Sequence, residues 1–156
     1  MQHKPTIHLA TDHAGFALKG QVSCWLKDNG YGVVDHGAHQ IDDLDDFPDY
    51  IKLAAEAVSK SPANTRAIVF GASGQGEAMV ANRYPHVRAT VFYGGNEEII
   101  TLSRQHNDAN VLSIGARFVS FETLERIITK WLGEAFSHDP KYERRNQKIE
   151  RITKSF

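Results

Sequence analysis

With 156 residues, 41% of them hydrophobic and 24% charged, the chain suits one globular domain over 1–156, large enough to bury most of its apolar surface. The formal net charge of −1, with Lys and Arg mixed among Asp and Glu, excludes a general field favouring nucleic acid or an anionic membrane, so any anion site must be local. The single cysteine, Cys24, excludes an internal disulfide and paired-thiol metal or redox chemistry; with no signal-like apolar region after Met1-Gln2-His3-Lys4-Pro5 and no run of membrane-span length, a soluble cytoplasmic protein is expected.

Thr6 to Ala10 reads as a strand and Phe16 to Asp28 as a helix, on which Cys24 is expected to be buried packing. Gly32 to Asp35 and Tyr50 to Ser59 repeat the pattern. Ala67 to Phe70 precedes a helical Glu77 to Arg83, Arg88 to Phe92 precedes Glu97 to Gln105, and Val111 to Ile114 precedes Phe121 to Leu132. Parallel strands need crossover connections, so five βα units imply a three-layer α/β/α domain on a Rossmann-like five-stranded parallel sheet. A polar tail from Lys141 to Lys154 sets Tyr142, Ile149, Ile152 and Phe156 at helical spacing, predicting an extra C-terminal helix that lies on the domain or on a partner.

Open parallel sheets bind ligands outside the carboxyl ends of their strands, where helix N-termini converge. The loops at that edge are Thr11 to Gly15, His36 to Pro48, Gly71 to Gly76, Tyr93 to Asn96 and Gly115 to Phe118. Gly71-Ala72-Ser73-Gly74-Gln75-Gly76-Glu77 opens straight onto a helix, and its three glycines let backbone N–H groups approach an anion, with the Ser73 hydroxyl as a further donor. A dinucleotide fingerprint fails because no third glycine follows at the required position and the turn comes after the third strand. A P-loop fails for want of Gly-Lys-Ser/Thr. Glu77 is then either a helix-start charge complementing the dipole or a base held beside an anion hole.

Asp12 and His13, after the first strand, read either as a helix cap with its neighbour or as an acid/base or phosphate-contact pair. Arg144 and Lys148 stand four apart on one helical face with Arg145 alongside, a pattern shared by solvated faces and phosphate clamps. Arg117 follows the fifth strand at the ligand edge. An anion held by His13, Arg117, Arg144 and Lys148 would be a phosphate monoester by charge and size. His106 and Asn107 lie between a helix and the fifth strand, at the opposite edge of the sheet. A strand of four or five residues spans roughly 13–17 Å, beyond a histidine's reach. His106 is therefore either a helix-end residue or part of a neighbouring subunit's site, and the second option predicts an obligate dimer. Asp42, Asp43, Asp45 and Asp46 supply hard oxygen ligands but lack the glycine and glutamate of a calcium loop, so a solvated acidic loop and no metal is the expectation.

Taken together, these loops resemble the ribose-5-phosphate isomerase B and galactose-6-phosphate isomerase family over nearly the whole chain. The ordered segments are Asp12-His13-Ala14-Gly15-Phe16 with Lys19, Asp46-Phe47-Pro48-Asp49-Tyr50, Gly71 to Glu77 with Ala81-Asn82-Arg83, Ser103-Arg104-Gln105-His106-Asn107-Asp108, and Gly115-Ala116-Arg117. The resemblance implies aldose–ketose interconversion of a sugar phosphate through an enediol(ate), with no metal or cofactor. One branch uses a cysteine base where this chain has Gly71; another uses a glutamate at the end of the glycine loop, which Glu77 matches. It further implies an anion hole from Ser73 and the N–H groups around Gly74 and Gly76, ring opening by His106 with Asp12, sugar or enediolate contacts from Asn107, and phosphate contacts from His13, Arg117 and Arg144. Such sites lie between two subunits of a homodimer, in some cases within a tetramer. Lys148 stands where the family usually has a second arginine, and Phe47 where a tyrosine is common.

The expected reaction is ribose 5-phosphate to ribulose 5-phosphate, a step of the pentose phosphate pathway, with allose or galactose 6-phosphate as the six-carbon alternative. A non-catalytic sugar-phosphate-binding regulatory module would need the basic residues but not Glu77, Ser73, Asp12 and His106. A flavodoxin-like carrier gives no reason for the Asp–His pair.

Overall fold

The computed structural model describes residues 4–153; Met1 to His3, the expected helix end Lys154 and Phe156 of the expected C-terminal stripe lie outside the described residues. Strands β1 (Thr6–Thr11), β2 (Val33–Asp35), β3 (Thr65–Gly71), β4 (Ala89–Phe92) and β5 (Val111–Gly115) alternate with helices α1 (Phe16–Asp28), α2 (Phe47–Lys60), α3 (Gln75–Ala81), α4 (Glu98–Gln105) and α5 (Phe121–Gly133). Helix α6 (Pro140–Thr153) follows. The sheet is parallel throughout, in the order β2-β1-β3-β5-β4.

Two apolar layers flank the sheet, as the near-continuous Val/Ile/Leu runs of its central strands require. On one face Ile7, Leu9, Ile68, Phe70, Leu112 and Ile114 meet Val22 and Leu26 of α1, Ile100 of α4 and Leu124, Ile127 and Trp131 of α5. On the other, Ala10, Ala67, Val69 and Val111 meet Ile51, Ala54, Ala55 and Val58 of α2 and Ala81 of α3. The α/β/α layering expected from the sequence is the one observed.

Helix α2 starts at Phe47 rather than Tyr50, because Asp46 is extended and Pro48 is suited to a first helical turn. Helix α3 covers Gln75–Ala81, not Glu77–Arg83, and stops at Asn82, whose side chain exchanges hydrogen bonds with the backbone of Ala89 at 2.8 and 3.2 Å. Cys24 is exposed, contrary to expectation. Lys19, Val22, Ser23 and Leu26 form the buried face of α1, and position 24 falls off that stripe.

Lys19 is an unusual member of that face. Its ammonium, 3% exposed as a residue, donates to Asp35 Oδ1 at 2.5 Å and to the Ala38 carbonyl at 2.9 Å, tying the start of the β2–α2 loop to α1. Helix α6 packs at the amino-terminal edge of the sheet. There Glu150 pairs with Arg88 at 2.9 Å and accepts from the His86 backbone at 3.0 Å. Only Asn146 of α6 is buried, while Ile149 and Ile152 remain 44% and 62% exposed. Of the apolar stripe expected on this helix, Ile149 and Ile152 thus stay largely uncovered, while Tyr142 lies against the domain.

Candidate active site

From β1 the chain crosses to β2 on one side of the sheet and from β3 it crosses to β4 on the other, so the ends of β1 and β3 border the crevice where open α/β sheets take ligands. Thr11 and Phe70 are register partners there, which sets Asp12 and Gly71 side by side. The turn after β1 is held tightly. Thr11 Oγ1 donates to the carbonyls of Asp12 and Phe70, at 2.9 and 3.1 Å, and a Cβ on Gly15 would collide with that hydroxyl and with Phe70.

Asp12 takes the capping position that the sequence allowed it. It is 8% exposed and caps the single 3-10 turn His13–Gly15 by accepting from the Ala14 N–H at 3.0 Å, while its charge faces Glu77 across the crevice.

The glycine loop after β3 is shaped by close approach. Gly74 has φ +78°, and a Cβ there would press on the backbone of Ile114 and Gly115; one on Gly76 would enter the Phe47 ring. Ser113 Oγ donates to the Gly74 carbonyl at 2.6 Å, and the N–H groups of Ala116 and Arg117 donate to the carbonyls of Gly71 and Ala72, so the loops after β3 and β5 form one unit. Gln75 N donates to Ser73 Oγ at 3.3 Å. The Arg117 side chain is exposed at this edge.

Glu77 lies in the first turn of α3 and is only 4% exposed. A Cβ added to Gly71 would overlap its Cδ and both carboxylate oxygens, so the carboxylate occupies the space that a side chain at 71 would take. Burial is the main influence on its proton affinity and raises its pKa above the usual carboxylate range. Its own backbone N–H opposes this, and the Asp12 charge reinforces it.

His13 is anchored by a residue the sequence reading left in solvent. Asp45, from the acidic loop, turns inward until its side chain is 5% exposed, and one oxygen takes both the His13 backbone N–H at 3.2 Å and ring Nδ1 at 2.6 Å. The only signal for this in the sequence is an aspartate close before Phe47-Pro48 at the ligand edge. One ligand atom from each of Asp12, His13 and Asp45 lies within 4.8 Å of the others, the one such trio among the described residues. A metal would have to displace the proton shared between His13 and Asp45, so the geometry reads first as a hydrogen-bonded ion pair.

The remaining candidates collect elsewhere. His106 caps the C-terminus of α4, with Asn107 exposed beside it, and its ring stacks on Tyr142 of α6 at 4.0 Å between centroids and 18° between planes. Asn146 Nδ2 donates to the His106 carbonyl at 3.2 Å. Arg144 and Lys148 project, exposed, from this same helix. The single chain therefore presents two half-sets at opposite edges of the sheet. Asp12, His13, Ser73, Gly74, Gly76, Glu77 and Arg117 stand at one, and His106, Asn107, Arg144 and Lys148 at the other. A four-cation phosphate clamp cannot form within one chain, because the strands separate its members.

Comparison with known proteins finds relatives along nearly the whole chain. A family model described as Ribose/Galactose Isomerase matches residues 7–149. Ribose-5-phosphate isomerase B of Escherichia coli (strain K12) is 33% identical over 147 residues, covering 94% of this chain and 93% of that one. The crystal structure of ribose-5-phosphate isomerase B from Mycoplasma genitalium with bound ribulose-5-phosphate superposes with a TM-score of 0.91 at 34% identity, covering 97% of each chain. The Clostridium thermocellum ribose-5-phosphate isomerase B structure gives 0.88 at 37% identity, covering 96% of this chain and 98% of that one.

Proposed function

The chain belongs to the ribose/galactose isomerase family, and from that premise we propose that it interconverts ribose 5-phosphate and ribulose 5-phosphate with Glu77 as the carbon base. The observation that carries this reading is the exchange of volume between positions 71 and 77. Gly71 has no side chain, and the Glu77 carboxylate fills the place where one would lie, at the mouth of the β1/β3 crevice. A family that places its base at one of these two positions has room for only one at a time.

In this reading the open-chain aldose lies with C2–H toward Glu77. The carboxylate takes that proton, leaving a cis-enediolate whose charge spreads onto the C1 oxygen. Proton transfer from the C2 hydroxyl to O1, and return of the carried proton from Glu77 to C1, complete the ketose. Burial that lifts the pKa of Glu77 makes its carboxylate a stronger base than an exposed one. Ser73 and the N–H groups of the Gly74–Gly76 turn receive the developing oxyanion, which is worth several kcal/mol when donors are held in advance, on the order of 3 per donor.

His106, assisted by Asp12, opens the furanose by protonating its ring oxygen, and Asn107 holds sugar hydroxyls. His13, Arg117, Arg144 and Lys148 take the phosphate. The two half-sets at opposite edges combine when one protomer of a homodimer supplies His106, Asn107, Arg144 and Lys148 to its partner's Glu77. The exposed Ile149 and Ile152 of α6 support such an interface. Residues Asp12, His13 and Asp45 need hold no metal in this scheme.

The deciding measurement is ribose 5-phosphate turnover in excess EDTA for the wild type and Glu77→Gln, with allose 6-phosphate and galactose 6-phosphate as comparison substrates. Wild-type turnover that drops by about 10³-fold in the variant, with phosphate-ligand binding kept, is expected. Preference for a six-carbon substrate would move the assignment within the family, and equal activity in the variant would remove Glu77 as base.

A further inference from the structure

We propose that Asp45 is a positioning residue for the phosphate subsite, clamping His13 through both backbone and ring so that its free Nε2–H is presented to the anion; this rests on the phosphate role proposed for His13. The geometry is specific. Asp45 Oδ1 engages the His13 N–H at 3.2 Å and Nδ1 at 2.6 Å, which assigns the Nδ1 proton to this contact and leaves Nε2 as the outward atom. The carboxylate is sunk to 5% exposure while the imidazole keeps 28%. The histidine is thus the solvent-facing member of the pair and the aspartate its support.

The other oxygen, Oδ2, is buried with no hydrogen-bond partner. A buried carboxylate half-satisfied in this way is costly unless a matching cation stands beside it, and the His13 imidazolium is that cation. The charges that act on His13 within its own chain are acidic: Asp45 by direct hydrogen bond, then Asp12 from its own turn and Asp43 from the same loop, with partial burial opposing them; Arg117 and the Arg144 and Lys148 of a second protomer meet it only across the phosphate. The Tyr50 hydroxyl of α2 also senses the charge of Asp45. Such surroundings hold His13 protonated to higher pH than a free histidine, so that a charge-assisted donor is available to a phosphate dianion where an ordinary imidazole would have gone neutral.

The loop that delivers Asp45 is itself fixed. Lys19 pins Asp35 and Ala38 at its start, and Phe47 closes it at the first turn of α2 against Gly76 of the glycine loop. Asp45 therefore couples the phosphate contact to the same scaffold that shapes the anion hole.

The test uses the intact protein and sulfate, which stays a dianion at every pH measured, alongside ribose 5-phosphate. In the wild type the His13 ring signals, assigned by a His13→Gln variant and followed by NMR, should titrate above the free-histidine range. In Asp45→Asn the midpoint should fall, sulfate affinity and 1/KM at pH 8 should drop about tenfold, and both should change little at pH 6, where His13 is charged in either protein. Wild-type His13 titrating at the ordinary value overturns the proposal without recourse to any variant, as does an equal loss at pH 6 and pH 8. Sulfate binding that tracks His13 without turnover of ribose 5-phosphate would sink the isomerase assignment and leave Asp45 in place; turnover without the pH-dependent loss would do the reverse.

Discussion

The carboxylate of Glu77 sits where a side chain at position 71 would have to be, and two predictions follow from that single overlap. In Gly71→Ala the new methyl group must push the carboxylate aside. Because a displacement of about 1 Å at a reacting group costs roughly 10²-fold, kcat should fall by that order while the melting temperature moves little. A steady-state comparison of kcat and KM checks it, and unchanged kcat would show that the carboxylate has slack. The second concerns stability. Burial raises the pKa of Glu77 in the fold, so folding favours its protonated form. That preference is fully present below the unfolded carboxylate pKa, about 4.3, and is lost as pH rises through the folded value. Glu77→Gln cannot ionise, so it should melt at a higher temperature than the wild type at pH 8, by a few degrees, with the gap closing toward pH 4. Thermal melts across that range would reveal a constant or reversed gap if burial were not the cause.

At the scale of elements, α6 carries more than its polar sequence advertises. It grips the amino-terminal edge of the sheet through Glu150 and Asn146 and lays the ring of Tyr142 flat against His106. If His106 is the ring-opening acid, Tyr142→Ala should lower kcat about tenfold with little change in KM, since the imidazole loses the surface that sets its plane, and Tyr142→Phe should restore it. A loss shared by both variants would point to the hydroxyl instead. The strands and the larger helices were legible because hydrophobic period and turn residues agree along them, as at Thr6–Thr11 and Phe121–Gly133. The start of α2 was missed by three residues because Phe47 and Pro48 read as loop until Pro48 is recognised as a first-turn residue. Cys24 was misplaced because residue type outweighed helical position. The placement of Asp12, Ser73 and Glu77 at the ligand edge was legible because strand ends and glycines mark that edge. That of Asp45 was not, since its inward turn depends on a contact with His13, far off in the sequence, that no local pattern encodes.

For the whole molecule the decisive fact is that the two half-sets stand at opposite edges of one sheet, which a single chain cannot bring together. Complementation follows by counting. In a mixed dimer of Glu77→Gln and His106→Ala protomers, one of the two shared sites carries both lesions and the other carries neither. Random exchange of equal amounts makes half of the dimers mixed, so the mixture should recover about one quarter of wild-type activity, although each parent alone is impaired at both sites. In a chain whose site is complete within one protomer, every site keeps one lesion and mixing recovers nothing. Subunit exchange shown by mass spectrometry of differently labelled protomers, with no gain in activity, would therefore rule out sharing. Recovery near one quarter would require that His106 of one protomer work with Glu77 of the other, because no other pairing yields an intact site from these two variants.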